Sequence, residues 1–364
     1  MILNVSLAKT FLVVLSFVGE ILAEERDGKL LNVFNVIRFP NDACTTSANT
    51  NGVCYSASEC RTRGGLSQGT CATGFGVCCA FIGRCGGSTS ENNTYFASTG
   101  TDTSPCSFSV CKTTDDICQI RLNFDAFDIA QPDTKTLTST NPSGRTQCQK
   151  AQFTASSAGA ASPTICGNNQ AMHMIVDASD SCNLLNFNWV NNASPNNWNI
   201  HIMQIPCTAK WKPPEGCLQY FTGSTGTIQS YNWAGGVHLA NQDYNNCIRT
   251  ERGFCSMQYT QVGTNFDMSG TTATTSAVGD TCTDDYVIIA GGDTALVNSA
   301  NSKDRFCGSI FNSIAGQNAA AAVLTQRMPY MLGVFTNGAE VDDTGNNRAE
   351  ASKGFQIAYE QKAC

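Results

Sequence analysis

Three histidines, His173, His201 and His238, are the candidates for acid–base or nucleophile-activating chemistry. A serine triad needs an imidazole held by a carboxylate, a serine on an exposed turn and an oxyanion hole. Gly-Asp-Ser-Gly-Gly does not occur. His201 lies between Ile200 and Ile202 in an alternating stretch and is expected to face solvent. His238 follows Gly235-Gly236 in a turn-rich stretch, and His173, within Met172-His-Met-Ile, is expected at a strand edge. None has a partner at triad or metal spacing, so each reads as structural. There is no His-Glu-x-x-His and no phosphate-cradling Gly-Lys-Ser loop, and no cofactor is called for. Paired carboxylates leave no spacing signature from which hydrolysis could be read.

The residues with the most informative chemistry are the 20 cysteines. A reducing compartment would not keep so many as disulfides, and with no Cys-x-x-Cys the spacing does not suit zinc. The even count fits ten bridges and no free thiol. Lys9, the apolar run Phe11–Val18 and Ala23 have the layout of a signal peptide over residues 1–23. Asn92 (Asn-Asn-Thr) and Asn192 (Asn-Ala-Ser) are glycosylation acceptors. A secreted, extracellular protein is therefore expected. No stretch beyond the signal approaches the roughly 20 apolar residues of a membrane span. The net charge is −7, only 14% of residues are charged and no basic cluster occurs, so nucleic acid and anionic membrane are poor partners.

These residues must be positioned by short strands and turns, because Thr, Ser, Asn and Gly abound. Residues 24–43 form an arm whose segment Leu30–Phe39 is too apolar to be a free tail and is expected to dock. Residues 44–79 hold six cysteines in a glycine-rich unit too small to fold without staples, and six cysteines allow fifteen pairings. Residues 85–207 alternate as strands do, as in Cys118-Gln-Ile-Arg-Leu-Asn-Phe-Asp125 and around Trp198, Ile200 and Ile202. Thr134–Thr146 reads as a long loop. Residues 208–216, with Pro213-Pro214, read as a stiff linker, and residues 217–364 as a second β unit. Asp267–Asp280 reads as a loop, and the alanine run in Gln317–Gln326 predicts a short helix. Of the tryptophans, Trp189, Trp198 and Trp233 suit a core, whereas Trp211 in the linker is expected to pack between domains.

The second unit resembles a CUB domain. The residues that carry this are Gly226-Thr-Ile-Gln-Ser-Tyr-Asn-Trp233, Tyr244-Asn-Asn-Cys-Ile248, Cys282-Thr-Asp-Asp-Tyr-Val-Ile-Ile289, Phe306-Cys-Gly308 and Gly354-Phe-Gln-Ile-Ala-Tyr359. The first unit is similar in Cys106-Ser-Phe-Ser-Val110, Leu122-Asn-Phe-Asp-Ala-Phe-Asp-Ile129 and Cys166-Gly167, but lacks the usual Asp strand after Cys148. Residues 44–79, ending in Gly76-Val-Cys-Cys79, resemble the arthropod clip domain. Together the chain is similar to arthropod secreted CUB-domain proteins with a Cys-rich head. The resemblance implies an all-β fold: two disulfide-bonded, antiparallel, jelly-roll-type β-sandwiches behind a small N-terminal cystine knot.

The clip resemblance implies the bridges Cys44–Cys78, Cys54–Cys71 and Cys60–Cys79. The CUB resemblance implies Cys85–Cys106, Cys148–Cys166, Cys217–Cys247 and Cys282–Cys307. That leaves Cys111 with Cys118 across a short loop, Cys182 with Cys207, and Cys255 with Cys364. Many CUB domains bind calcium, and the resemblance places its ligands at Ser269, Asp285 and Asn337 in the second unit, with Ala130 and Ala151 at two of those places in the first. One carboxylate does not replace three, so no metal is expected; Asp285, Asp342 and Asp343 are the candidates if one binds. The resemblance implies a non-catalytic binding protein for an extracellular protein or glycan. The alternatives are a structural component of matrix or cuticle, or a non-catalytic regulator in an extracellular serine-protease cascade.

Overall fold

A computed structural model describes residues 38–132, 146–159, 161–190, 193–268, 275–295, 302–338 and 352–364. The expected signal segment, the arm before Arg38, nearly all of the loop Thr134–Thr146, Ser269, Asn192, Asp342 and Asp343 lie outside the described residues.

The head contains β1 (Ala43–Thr45), β2 (Asn51–Tyr55), helix α1 (Ala57–Thr62), β3 (Leu66–Cys71) and β4 (Gly76–Gly83). Helix α1 is short because it is held by a capping box rather than by length. The Ser56 hydroxyl accepts from the Glu59 N–H, and the Glu59 carboxylate accepts from the Ser56 N–H. Bridges Cys44–Cys78, Cys54–Cys71 and Cys60–Cys79 close the head.

The next strands are β5 (Ser88–Thr89), β6 (Thr94–Ala97), β7 (Cys106–Val110), β8 (Ile117–Ile129), β9 (Ala151–Ala155), β10 (His173–Asp177), β11 (Asn183–Trp189) and β12 (Asn196–Pro206). They form a sandwich. One sheet runs β1-β2-β4-β6-β12-β8-β10 with β3 on β4; the other runs β5-β7-β11-β9. Head and sandwich thus share a sheet, joined where β4 pairs in parallel with β6. Alternation along β8, reset by an irregularity between Phe124 and Ala126 in its pairing with β12, buries Ile120, Leu122, Phe124, Phe127 and Ile129 between the sheets. Phe187 stacks on Trp198 at 4.0 Å and Phe96 on Phe108 at 4.9 Å. Gly83 is required at the head's end of this core, because a Cβ there would lie 2.3 Å from the Phe108 ring.

The remaining strands are β13 (Cys217–Phe221), β14 (Thr225–Gln229), β15 (Gln242–Ile248), β16 (Phe254–Asp267), β17 (Ser276–Val278), β18 (Tyr286–Gly292), β19 (Lys303–Gly308), β20 (Val323–Thr325), β21 (Met331–Thr336) and β22 (Gly354–Ala363). They form a second sandwich, with sheets β13-β15-β21-β18-β19-β17 and β14-β22-β16-β20. Tyr259, Phe266, Phe306, Phe355 and Ile357 fill its interior.

Seven further bridges are Cys85–Cys106, Cys111–Cys182, Cys118–Cys207, Cys148–Cys166, Cys217–Cys247, Cys255–Cys364 and Cys282–Cys307. Two expected pairings, Cys111–Cys118 and Cys182–Cys207, are corrected. Cys111 follows β7 and Cys118 lies on β8, and these strands belong to opposite sheets. Cys111 instead extends the β7–β11 ladder one step past Val110↔Asn183, facing Cys182 with Cα atoms 4.1 Å apart. Cys118 meets Cys207 at the end of the β8–β12 ladder, where the Cys207 N–H donates to Asp116 O. The expected helix over Gln317–Gln326 does not form. Ala321 N–H donates to Phe311 O and Asn312 Nδ2 to Ala319 O, so cross-chain contacts override alanine's helix preference, and β20 follows.

Candidate functional site

Two places gather functional types of side chain: the seam between the sandwiches and the corner around Asp285. The seam joins the loop after Cys166 in the first sandwich to the β13 and β14–β15 segments of the second. Asn232 holds a left-handed conformation (φ 60°) that Asn tolerates. Its N–H donates to Asn169 Oδ1 (2.7 Å), its Oδ1 accepts from Asn168 N–H (2.9 Å), and its Nδ2 donates to Val237 O (3.0 Å). Only glycines fit beside it. A Cβ on Gly167 would lie 1.9 Å from Asn232 Oδ1, and one on Gly235 2.0 Å from the same atom.

His173 is the second centre of the seam. Its carbonyl accepts from Tyr231 Oη (2.8 Å) and Gln219 Nε2 (3.0 Å), and its Nε2 accepts the Tyr220 N–H (2.8 Å). Gln242 Nε2 donates to Thr164 O and Ala240 N–H to Thr146 O. Burial, with the Arg121 charge nearby, pushes His173 down to about 3, so its ring is neutral. Burial likewise drives the Tyr231 and Tyr244 phenols up. The expected strand-edge place of His173 is real, since β10 ends its sheet, but the second sandwich covers it.

His201 was expected to face solvent, and this is corrected. It is 5% exposed, stacks on Tyr95 at 4.6 Å and places Nε2 3.1 Å from Asn93 Oδ1. The outer face of the sheet is not wet here because the Tyr95 ring of the neighbouring β6 lies on the imidazole, and Tyr95 is held in turn by the head, whose Asn51 N–H donates to its Oη. Burial pushes His201 down to about 4. His238 is buried, and its N–H donates to Ser352 O. The three rings lie apart, in separate structural settings. Trp211, expected between domains, is 46% exposed. The joint is made by hydrogen bonds around Asn232 and His173, so the linker ring has no pocket to fill.

At the other corner Asp285 is fully buried. Its Oδ1 accepts from Asn337 N–H, and Asp284 Oδ1 accepts from Asn337 Nδ2, both at 2.8 Å. Asn337, standing where the resemblance would put a carboxylate, donates to both aspartates. Ala130 and Ala151 are buried. Among the described residues no group of three metal-ligating side chains converges.

Asn169, Asn232, Gln219 and Gln242 have no mark in the sequence, since an amide that crosses a seam looks like one that faces water. The available signal was glycine: Gly167 after Cys166, and Gly235-Gly236 after Asn232. Asn92 is half-buried, and its Oδ1 accepts from Gln204 N–H.

Residues 214–362 match the animal CUB domain family, so the second sandwich is a CUB domain. Among solved structures the chain is similar to the CUB1-EGF-CUB2 domains of rat MASP-1, at 14% identity over 75% of this chain and 99% of that one (TM-score 0.26). The CUB1-EGF-CUB2 domain of human MASP-1/3 matches at 16% identity over 74% and 98% (TM-score 0.24). The full extracellular region of zebrafish Gpr126/Adgrg6 matches at 8% identity over 78% and 33% (TM-score 0.25). No curated protein matches the sequence.

Proposed function

We propose that this is a secreted, non-catalytic binding glycoprotein of the arthropod CUB type. In this reading residues 85–207 are a divergent CUB-like domain, residues 44–79 a clip-like head, and residues 208–216 the linker to the CUB domain at 217–364. Its mechanism is rigid display: cross-linked sandwiches hold loops in place for an extracellular protein or glycan, and no bond is made or broken. The observation that carries it is the animal CUB match over residues 214–362. Ten disulfides favour an oxidising compartment. Asn92 and Asn192 would carry N-glycans, Asn92 through the Nδ2 of a side chain whose Oδ1 is already committed.

The test is expression of the full chain in a eukaryotic secretory system, then cross-linking mass spectrometry against extracellular fluid and solubilised matrix. The expected result is folded, glycosylated protein in the medium with saturable capture of a defined ligand, abolished by reduction. Retention in the cell, or turnover of a substrate without saturable binding, overturns the reading.

A further inference from the structure

The seam leaves a cleft of about 430 Å³, within the range of small-ligand sites. Its walls come from both sandwiches: His173 at the start of β10, Gln219 and Phe221 on β13, Thr227 and Gln229 on β14, and Gln356 on β22. Among the described residues no Asp, Glu, Lys or Arg lines it. A buried charged ligand would go unpaired there, at a cost of several kcal/mol.

What the walls offer is an ordered set of neutral donors and acceptors. Asn265 Nδ2 donates to Gln356 Oε1, and Gln356 Nε2 donates to Gln229 Oε1. This relay ends on Gln229 Nε2, which donates to nothing among the described residues. Gln219 is 1% exposed; its Nε2 is committed to His173 O while its Oε1 receives no donor, because the Tyr231 hydroxyl donates to His173 O instead. The Thr227 hydroxyl is exposed at the mouth. His173 accepts at Nε2, so its proton sits on Nδ1. The half-buried Phe221 ring, in edge contact with His173 and Tyr359, supplies one apolar surface.

Amides carry donors and acceptors side by side, as do vicinal hydroxyls, and an aromatic ring suits the apolar face of a sugar ring. An extended peptide would take main-chain bonds from a strand edge; β10, β13 and β14 each end a sheet, but at the seam the Tyr220 N–H of β13 is already taken by His173 Nε2, and side-chain amides line the cleft. We propose that this interdomain cleft binds a neutral glycan through Gln219, Gln229, Gln356 and Thr227, with Phe221 against a sugar face. This rests on the reading of the chain as a binding protein and makes both sandwiches part of one site.

The experiment uses the intact, disulfide-bonded chain on immobilised neutral oligosaccharides of two to four units, with sialylated and sulfated versions alongside. Thr227→Trp plugs the mouth from an exposed strand position, and Gln229→Leu removes the terminal amide. The wild type should bind at least one neutral glycan, with no gain from added negative charge, and each variant should weaken binding tenfold or more at unchanged Tm. Absence of neutral-glycan binding, preference for acidic glycans, or indifference to both variants overturns the proposal. Cross-linking to extracellular proteins separates the two failures. Protein capture untouched by Thr227→Trp, with no glycan bound, removes the glycan cleft and leaves the display reading; no capture of any kind removes both.

Discussion

Where the head meets the first sandwich, strand β4 serves both, leaving the knot through Cys78-Cys79 and pairing in parallel with β6. Where the first sandwich meets the second, the sheets are separate and the joint is a neutral polar network around Asn232 and His173. A shared sheet resists rotation through its backbone ladder. A seam of side chains holds only while each donor meets its acceptor, because an unmet buried polar group costs about 1–3 kcal/mol. The seam is therefore where the molecule should come apart, and the head joint is where it should hold.

The largest effect is expected at the root of the linker. Cys118–Cys207 pins the end of β12 from which residues 208–216 depart, and it spans 89 residues. Under the chain-entropy model, removing it with Cys118→Ala/Cys207→Ala costs about 4.5 kcal/mol. Chemical denaturation should show this loss, with proteolysis opening the first sandwich and linker before the head. Equal stability of wild type and variant would mean that this bridge does not anchor the seam.

The second concerns the seam's closest approach. Gly167→Val sets a side chain where Asn232 Oδ1 lies and burdens a backbone at φ +74°. A loss of roughly 3 kcal/mol is expected, with cleavage between residues 208 and 216 preceding global unfolding. Gly86→Ala shares a positive φ but has open space around it, and should cost about 1 kcal/mol. Similar losses in the two variants would show that strain alone, and not the seam contact, decides.

These two sites also show how far the sequence could be read. The alternation of Ile117–Ile129 marks β8 because its inward side chains see only core. The same rule fails at His201, whose outward side is covered by Tyr95 from the neighbouring β6. Cys111 and Cys182 could not be matched without knowing that β7 neighbours β11. Asp285 was legible as a place in a family pattern, yet its partner Asn337 is explained only by the geometry that brings both aspartates to it. Gln219, on β13, and Asn232, in a turn, give no signal of their own, since amides that cross a seam resemble those that face water.

Acid provides a third, milder contrast. His173 sits at the seam and His201 beneath Tyr95, which the head holds, each neutral when folded. The unfolded chain takes up protons as pH drops below the ordinary histidine value of 6.5, while the folded rings resist until about 3 and about 4. Stability from these rings is whole above pH 6.5 and is lost progressively on acidification through that window. At pH 4.5 each should have forfeited roughly 2.5 kcal/mol. His173→Gln should remove part of the acid sensitivity of the seam, read as protease cleavage in residues 208–216, and His201→Gln part of that at the head. A cleavage profile for the linker that is flat from pH 7 to 4.5 would remove His173 from this role.

The smallest effect is expected at the head joint, from its ion pair. Glu91 is 7% exposed, accepts from Tyr55 Oη at 3.1 Å and pairs with Arg63 at 2.6 Å, whose guanidinium also lies over the Tyr55 ring at 4.8 Å. Burial, and then the Glu91 charge, push the Tyr55 phenol up to about 12, so it remains a donor at any physiological pH. The Arg63 side chain is 44% exposed, so water screens the pair and its worth is small. Arg63→Met should cost about 1 kcal/mol, falling further in high salt, and should leave the β4–β6 ladder and the three head disulfides holding. Amide hydrogen exchange of Phe81 and Ile82 should stay slow in this variant. Fast exchange there would mean that the ion pair, and not the shared sheet, fixes the head, and the contrast between the two joints would be lost.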